Sequence, residues 1–483
     1  MHRTRRRRGL AAAAAVVATA ALVASCSTSK PSSGVASVPL NGITASTVKV
    51  GFTVVQLGTL EQALGFKVAD YGGVGTETKQ INAVVDYINA HGGMGGRKVQ
   101  ADLRTYTALT DSPEQSQAAC DGFTQDDRVF GIVLDAALQN NTVPCYTAAH
   151  TIIADETEIA HDQTQFVSDS PYLWSPTQPE YTSFLKAQLA AMNSGHFFDG
   201  NTGVLVVPDD DPVSRRAATT VVKPYLDSLG ITNEQTSYVN GTNTGLLGAT
   251  SATAIAAGTN ARLNRVISVG GARILAVALS VQAAGTYRST WGISTFDDPA
   301  WIQLNGAAIA ENRRPGMVGF GYAPSRDLPR DTGGPPFPDP SNPMQVLCHQ
   351  IVTDAGASPP NNARNNWTEA LQYCDGAMFM KSVLDKLPGK ATVTGEQFKD
   401  AAFSIGSSYR SSVTFGAAWG PNVYAGTDAG QPIAWDASTN AFNYTGGLQT
   451  FGAPVVQTGA AASSAPTTAT VTGPLPTITA PAP

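Results

Sequence analysis

The sequence predicts an α/β protein with two lobes, each built on a doubly wound parallel sheet. Strand-like and helix-like segments alternate in the order βαβαβαβ over residues 48–154, which is the order of such a sheet. The alternation begins again at residue 178 and continues to residue 295. A chain of 483 residues, of which 42% are hydrophobic, is long enough to form two lobes of this size.

The first unit is predicted from residue periodicity and from helix stop signals. Its strands are rich in Val and Ile, and the run at 129–134 is apolar, as a parallel sheet covered on both faces requires. In the first helix apolar residues recur with helical spacing, Thr76 is the expected N-cap, and His91-Gly92-Gly93 ends the helix. The predicted strands are 48–55, 98–106, 129–134 and 151–154, and the predicted helices are 76–90, 112–125 and 140–150.

The second unit and the chain that follows it repeat these patterns. Predicted helices 178–192, 213–229, 250–263 and 272–284 alternate with predicted strands 203–207, 236–239, 265–269 and 290–295. Residues 323–343 are rich in proline and are predicted to form a surface loop. The remaining predicted elements are helices at 344–355, 367–387 and 394–403 and strands at 413–419, 431–435 and 441–444.

The N-terminus has the composition of an export signal. Five arginines within residues 3–8 precede an apolar segment at 9–23, which is shorter than a membrane span. Residues 22–26 are Leu-Val-Ala-Ser-Cys and resemble the bacterial lipobox, in which the cysteine is acylated and becomes the mature N-terminus. We therefore expect a lipoprotein signal peptide at 1–25, lipid on Cys26, and a flexible tether at 26–40. An ordinary secretory signal is the alternative, and the Sec and twin-arginine routes both stay open.

Four cysteines remain after Cys26. An even number in an exported chain indicates two disulfides, and four cysteines allow three pairings. We favour the pairing of sequence neighbours, Cys120 with Cys145 and Cys348 with Cys374, in which each bond closes a loop of about 26 residues. A four-cysteine zinc site is disfavoured because no two of these cysteines have the close spacing that such sites use.

The charge balance of the chain is acidic. The formal net charge is −6, and removal of the five arginines of the signal segment changes it to −11. This balance disfavours non-specific binding to nucleic acid. Beyond the N-terminus no apolar run reaches membrane-spanning length. The chain from Gly452 onward has neither charged nor aromatic residues, so 451–483 is predicted to be a disordered tail.

Four segments resemble the type I periplasmic-binding-protein family, in particular the ABC-transporter receptors that bind branched-chain amino acids. They are NGITASTVKVG at 41–51, YINAHGGMGGRKV at 87–99, CDGFTQDDRVF at 120–130 and GFGYAP at 319–324. The resemblance implies two lobes joined by a hinge of three crossovers, with the ligand between the lobes at the carboxyl ends of the strands. On this pattern we assign 41–165 and 296–408 to the first lobe, and 166–295 and 409–450 to the second.

Acidic residues recur at the predicted strand ends. They follow four strands, at Asp135, Asp155-Glu156, Asp209-Asp210-Asp211 and Asp297-Asp298, which predicts an acidic cleft that favours a cationic or hydroxyl-rich ligand. The alternative is that most of these acids cap helices or face solvent. Amino-acid binders of the family hold the ligand carboxylate with Ser or Thr after the third strand, and 135–139 lacks them, so we do not expect a plain branched-chain amino acid.

The candidate ligand-binding residues come from these strand ends and from two aromatic residues expected to form cleft walls, Trp174 and Tyr322. The full set is Gln56, Asp135, Ala136, Ala137, Glu156, Thr157, Trp174, Asp209, Asp298 and Tyr322.

Motifs of common enzymes are absent from the sequence. There is no G-x-S-x-G elbow and no P-loop, and the glycine-rich segment 92–96 follows a helix, whereas a dinucleotide site follows a strand. We therefore expect no enzymatic activity, cofactor or metal. The resemblance implies an extracytoplasmic solute-binding lipoprotein that captures a small polar ligand for an ABC permease, as a monomer lipid-anchored to the outer face of the bacterial cytoplasmic membrane. A ligand-sensing or interaction lipoprotein of the same fold is the alternative function.

Overall fold

The computed structural model describes residues 38–57, 67–107, 110–135, 139–157, 159–285, 287–305, 314–329 and 333–452. The predicted signal peptide, Cys26, residues 27–37 of the predicted tether and residues 453–483 of the predicted tail lie outside the described residues. Phe451, the first residue of the tail predicted at 451–483, is described and packs against Phe184 and Phe320, so it does not belong to a disordered tail. The candidate site residues Ala136 and Ala137 lie outside them as well.

The sheet of lobe 1 consists of six parallel strands. They are β1 (Thr47–Gln56), β2 (Lys98–Thr107), β3 (Gly131–Leu134), β4 (Ile152–Asp155), β5 (Leu173–Pro179) and β11 (Ala425–Thr427). Their order in the sheet is β2-β1-β3-β4-β5-β11. Strands β3, β4 and β5 are buried along their whole length, which explains why β3 and most of β4 are apolar runs instead of alternating patterns.

The sheet of lobe 2 repeats this arrangement. Its strands are β6 (Val204–Pro208), β7 (Glu234–Thr236), β8 (Arg265–Val269), β9 (Thr290–Ser294), β10 (Val318–Gly321), β12 (Ala429–Asp436), β13 (Ala441–Tyr444) and β14 (Gln449–Thr450). The order is β7-β6-β8-β9-β10-β12-β13, with β14 paired to β12. Strands β6 to β10 are parallel, whereas β12 and β13 are antiparallel. In both lobes the strand order reverses beside the first strand, β1 or β6, and such switch points are where open α/β sheets bind ligands.

Fourteen α-helices among the described residues connect and cover these sheets. They are α1 (Gly73–Ala90), α2 (Pro113–Asp121), α3 (Thr142–Ala148), α4 (Gln163–Ser168), α5 (Tyr181–Ser194), α6 (Pro212–Ala217), α7 (Lys223–Ser228), α8 (Thr244–Asn260), α9 (Ala272–Ala284), α10 (Pro299–Leu304), α11 (Pro324–Asp327), α12 (Pro343–Asp354), α13 (Thr368–Leu384) and α14 (Gly395–Phe403). A π-helical turn, Gly122–Asp126, extends α2, and another, Ala218–Val222, joins α6 to α7.

Helix α13 lies at the centre of lobe 1. It packs against α1, α12 and α14 and against strands β3 to β5, and almost all of its residues are buried. Both predicted disulfides are confirmed and lie in this lobe: Cys120–Cys145 joins α2 to α3, and Cys348–Cys374 joins α12 to α13. The described chain also begins against lobe 1, because the Leu40 N–H donates to the Val393 carbonyl at 2.8 Å.

The chain passes between the two sheets three times, as the resemblance implies, but at other positions than predicted. The crossings lie between β5 and β6, after β10, and between β11 and β12. The predicted boundaries at 166, 296 and 409 are all too early. Strand β5 of lobe 1, β10 of lobe 2 and β11 of lobe 1 follow them, respectively, before the chain crosses to the other lobe. Prolines within Leu173–Pro179 and glycines within Val318–Gly321 hide these strands from a propensity analysis.

Three local predictions are wrong. The N-cap of α1 is Gly72, and the Thr76 hydroxyl donates to the Gly72 carbonyl instead of capping the helix. Residues 413–419 form no extended strand and make only an isolated bridge at Ala417. The segment 323–329 is buried instead of exposed, and Pro324 begins the short helix α11 within it.

Candidate ligand-binding cleft

A cavity of about 490 Å³ lies between the two lobes, at the carboxyl ends of their strands. Lobe 1 contributes chain that follows β3 and β4, including Gln139 and His161, and lobe 2 contributes chain that follows β6, β7 and β8, including Asp209 and Thr242. Sites for small molecules have volumes of roughly 300–1,000 Å³. The position and size of the cavity therefore fit a small ligand held by both lobes.

Asp209 follows β6 at the switch point of lobe 2 and is a predicted site residue that lines this cavity. Its Oδ1 atom accepts hydrogen bonds from the backbone N–H groups of Asp210 at 2.7 Å and Gly241 at 2.9 Å. Burial raises the pKa of Asp209 to about 6, although the Gly241 N–H opposes the increase. At neutral pH the side chain therefore presents a carboxylate to the cavity.

The two acids that follow Asp209 have structural roles. Asp211 is the N-cap of α6, and its Oδ1 atom accepts hydrogen bonds from the N–H groups of Val213 at 2.7 Å and Ser214 at 3.0 Å. Asp210 is exposed and accepts a hydrogen bond from the Arg215 Nε atom at 2.7 Å, away from the cavity lining. The helix-capping interpretation of the acids is thus correct for Asp211.

The wall of lobe 1 contains a buried ion pair. The Nε2 atom of His161 contacts Asp155, and its Nδ1 atom lies 2.9 Å from Oε1 of Gln165. Burial lowers the pKa of His161, but the Asp155 carboxylate and the Gln165 contact outweigh that effect and raise the pKa overall. Both ring nitrogens are therefore engaged, and the pair adds no net charge to the cavity wall.

Direct contacts join the two lobes at this cavity. Arg216 of lobe 2 forms a two-pronged ion pair with Asp162 of lobe 1, with N–O distances of 2.7 and 2.8 Å. The side-chain amide of Gln139 in lobe 1 donates to the Thr242 carbonyl of lobe 2 at 2.7 Å. These contacts bridge the two walls of the cleft in this structure.

Asp135 and Glu156 do not line the cavity but lie in a buried polar cluster at the N-terminal end of α13. The Glu156 carbonyl accepts from the Gln372 side chain at 2.5 Å, and its carboxylate contacts the Thr177 hydroxyl. Burial raises the pKa of Asp135 to about 7 and raises that of Glu156 as well. Thr157 lies beside them, and its N–H donates to the Asp155 carboxylate at 2.9 Å. The predicted acidic strand ends of lobe 1 are therefore interior groups.

The two predicted aromatic walls are wrong. Trp174 is fully buried in the core of lobe 1, where its ring packs against Trp419 and Tyr424. Tyr322 is also buried and packs against Phe184 and Phe296. Each ring fills space between a strand and its covering helices, because a large apolar side chain is most stable there.

Gln56 and Asp298 also lie away from the cavity lining. Gln56 ends β1, and its side-chain oxygen accepts from the Thr107 hydroxyl at 3.3 Å. Asp298 is the N-cap of α10 and accepts from the Trp301 N–H at 3.2 Å. Both therefore have structural roles at their strand ends.

Several residues of the cavity were missed by the sequence analysis. His161, Thr164, Arg216, Thr242 and Gly270 all line it. Thr242 and Gly270 follow β7 and β8, so the strand-end rule that found Asp209 could also have found them. Thr164 on α4 and Arg216 on α6 do not follow a strand directly, so the strand-end rule does not select them. Their place in the cavity depends on how the two lobes come together.

Among the described residues, no group of three or more His, Cys, Asp or Glu side chains is arranged to hold a metal ion. In the same part of the chain no helix is both long enough and apolar enough to cross a membrane.

Comparison with known proteins finds similarity at the level of structure alone. No protein-family model and no curated protein sequence matches the chain. A possible leucine/isoleucine/valine-binding protein from Rhodopirellula baltica SH 1 is similar with a TM-score of 0.56 and 11% identity, over 84% of this chain and 97% of that one. A solute-binding protein of an ABC transporter from R. palustris in complex with 4-hydroxybenzoate gives 0.57 and 14%, over 84% and 98%. A branched-chain amino acid ABC transporter protein from Thermus thermophilus with bound valine gives 0.55 and 12%, over 84% and 97%.

This chain has the type I periplasmic-binding-protein fold. The type I periplasmic-binding-protein fold accounts for the two lobes with equal strand order and for the three crossings between them.

Proposed function

We propose that this protein is an extracytoplasmic solute-binding protein that captures a small polar ligand between its lobes and delivers it to an ABC importer. The observation that carries the proposal is the cavity between the lobes at the strand ends. Solved structures of the same fold support it, because they include ABC-transporter binding proteins with valine or 4-hydroxybenzoate bound.

The proposed mechanism is closure of the lobes about the three crossings. A ligand that contacts both walls of the cavity binds the closed form better than the open form and shifts the population toward it. The Arg216–Asp162 pair and the Gln139–Thr242 hydrogen bond add contacts that exist only when the lobes are together. The permease would then recognise the closed form.

Binding without chemical conversion is the role we infer for this cleft. Among the described residues that line the cavity, the one histidine has both ring nitrogens engaged by Asp155 and Gln165. It is therefore not poised to activate a serine or a water molecule, as a general base must be.

We further propose that the protein acts as a monomer anchored through lipid on Cys26 at the outer face of the bacterial cytoplasmic membrane. Residues 1–25 would be removed as a signal peptide, and the chain from Cys26 to Val38 would act as a tether, because Pro39 and Leu40 already contact lobe 1. Cys26→Ala should abolish partitioning of the protein into a detergent phase. Equal partitioning of the variant and the unaltered protein would contradict lipidation.

A thermal-shift screen of the full chain against amino acids, sugars, polyols, polyamines and aromatic acids tests the binding function. We expect at least one compound to raise the melting temperature, because a ligand that binds only the folded state stabilises it. Gly241→Leu should abolish that shift, because a side chain here would enter the cavity against Asp209. Gly248→Leu is the matched control, because Gly248 faces open space on α8. A shift that survives Gly241→Leu would place the ligand outside this cavity.

A further inference from the structure

Two polar groups on the lobe 2 wall of the cavity have unused hydrogen-bonding capacity. The Oδ1 atom of Asp209 is engaged by two backbone N–H groups, but no described residue donates to its Oδ2 atom. Ser214 lines the same cavity and is 1% exposed, and its hydroxyl has no hydrogen-bond partner among the described residues. A buried hydroxyl without a partner is unfavourable, so this position is suited to a partner supplied from the cavity.

Two glycines keep the space beside these groups open. A Cβ atom on Gly241 would lie 2.6 Å from Oδ2 of Asp209. A Cβ atom on Gly270 would lie 3.3 Å from the Ser214 hydroxyl and 3.1 Å from the Asp209 Cβ atom. Gly270 also has a φ of 137°, which side-chain-bearing residues rarely adopt. Gly241 and Gly270 therefore leave room that a ligand group can occupy next to both acceptors.

The charges of the described side chains that line the cavity favour a ligand without a carboxylate. Arg216 is paired with Asp162, and His161 is paired with Asp155, so these basic groups are neutralised by acids of lobe 1. Asp209 and Asp211 add negative charge on the lobe 2 side. A carboxylate placed against Asp209 would meet like charge in a partly desolvated site, whereas a donor group would complete its hydrogen bonding.

Part of the remaining cavity wall is apolar. Val143 of lobe 1 and Val213 and Ile274 of lobe 2 line it, and all three are buried. An apolar wall beside two acceptors fits a ligand that has a donor group at one end and an aliphatic or aromatic body.

We propose that Asp209 and Ser214, with Gly241 and Gly270, form a donor subsite that binds a hydroxyl or ammonium group of the ligand and rejects a carboxylate. This inference rests on the proposed solute-binding function and names the class of ligand. It also distinguishes this cavity from the binding proteins whose solved structures hold valine or 4-hydroxybenzoate, both of which carry a carboxylate.

Calorimetric titration with matched compounds tests the donor subsite. Leucine, leucinol, isoamylamine and isoamyl alcohol share an apolar branch and differ in whether they carry a carboxylate, an ammonium, a hydroxyl or a combination. We expect leucinol to bind at least about tenfold more tightly than leucine. Both carry an ammonium group, but Asp209 would repel the leucine carboxylate and can accept a hydrogen bond from the leucinol hydroxyl, and a hydrogen bond to a charged group contributes about 1.4 kcal/mol or more, which is tenfold in affinity. Tighter binding of isoamylamine than of isoamyl alcohol would show that the subsite prefers an ammonium group, and the reverse order would show that it prefers a hydroxyl.

Three variants localise the effect. Asp209→Asn keeps the shape of the side chain and should weaken leucinol binding about tenfold, and Ser214→Ala should weaken it by a smaller factor. Asp210→Asn removes the same charge from the neighbouring exposed position and should leave binding unchanged. If Asp209→Asn fails to fold, Gly241→Ala serves instead, because its Cβ atom would displace the donor from Oδ2.

Leucine binding as tight as leucinol, or leucinol binding that Asp209→Asn does not weaken, would overturn the donor subsite. Neither result would affect the solute-binding function, which the broad screen and Gly241→Leu test separately. Absence of binding by all four compounds, when the broad screen has found a carboxylate ligand, would also overturn the subsite. Absence of any ligand in the broad screen counts against the solute-binding function itself.

Discussion

The two lobes have the same strand order but use the carboxyl edges of their sheets differently. In lobe 1 the switch point beside β1 is bridged by protein: Glu77 accepts hydrogen bonds from the Val55 N–H at 2.9 Å and the Tyr373 hydroxyl at 2.8 Å. In lobe 2 the switch point beside β6 opens on the cavity through Asp209 and Gly270. Strand order thus locates the edge at which a site can form, and the helices packed over that edge decide whether it binds ligand or stabilises the lobe.

The two lobes also differ in their disulfides, and removal of these bonds should have the largest effect on the free energy of unfolding. Both bonds lie in lobe 1, with sequence separations of 25 and 26 residues. Each should contribute about 3 kcal/mol to the free energy of unfolding in the chain-entropy model. Replacing all four cysteines by alanine should therefore accelerate hydrogen exchange in β1 and β3 far more than in β6 and β8. Equal acceleration in both sheets would show that the lobes unfold as one unit.

The buried acids of lobe 1 should be more important for stability than the cavity acid of lobe 2. Asp155→Asn leaves the buried His161 without its ionic partner, and breaking a buried pair destabilises a protein by about 3 kcal/mol or more. Asp209→Asn, at the half-buried wall, should change the free energy of unfolding by about 1 kcal/mol or less. Urea denaturation of both variants measures the contrast. A larger loss of stability for Asp209→Asn than for Asp155→Asn would contradict a stabilising role for the acids of lobe 1 and a ligand-facing role for Asp209.

The pH dependence of stability should also arise mainly in lobe 1. Burial raises the pKa of Glu77 to about 8 and that of Asp135 to about 7. Because these groups hold protons more tightly in the folded state, the free energy of unfolding should fall as pH rises from about 4 to about 8. The raised pKa of His161 acts in the same direction, since its contribution is complete below about pH 6.5 and is lost above it.

Urea titrations at pH 5 and pH 8 measure this slope. Glu77→Gln should flatten it, whereas Asp86→Asn, at an exposed position of the same helix, should not. Stability that increases from pH 5 to pH 8 would contradict the raised carboxyl pKa values.

The smallest expected effect on stability concerns the contact between the lobes. Arg216→Gln removes the ion pair with Asp162 and keeps the cap that Asp162 provides for α4. Because the Arg216 side chain is about one-third exposed, the loss should be about 1 kcal/mol or less. The ligand-free protein should nevertheless open, which small-angle scattering would detect as a larger radius of gyration. Lys223→Gln, which removes an exposed pair within lobe 2, is the control. An unchanged radius would show that Arg216 does not hold the lobes together.

Most of the fold could be predicted because its signals are local. The apolar runs of β3 and β6 and the Ser112 and Thr394 N-caps are contained in a few neighbouring residues. The missed strand β5 contains two prolines, and its place in the sheet depends on β4 and β11, which are distant in sequence. Pairing between distant segments overrides local propensity in such cases.

The cavity could be predicted in part. Strand ends point to one edge of a sheet, and this rule identified Asp209. The same rule also selected Asp135 and Glu156, because a sequence does not show that α13 covers them. Trp174 illustrates the same limit, because the sequence around an aromatic residue in a strand does not show whether its ring faces a ligand or the core.

The entry of the chain into lobe 1 makes the two lobes mechanically unequal. Residues 39–40 attach beside Val393 and Thr394, in the lobe that carries both disulfides, whereas the last described strand, β14, lies in lobe 2. A membrane tether at the N-terminus would therefore pull on the cross-linked lobe and leave the crossings free of load. Lobe 1 would then stay fixed relative to the membrane while lobe 2 moves about the crossings. Force transmitted through the anchor would therefore neither open nor close the cleft.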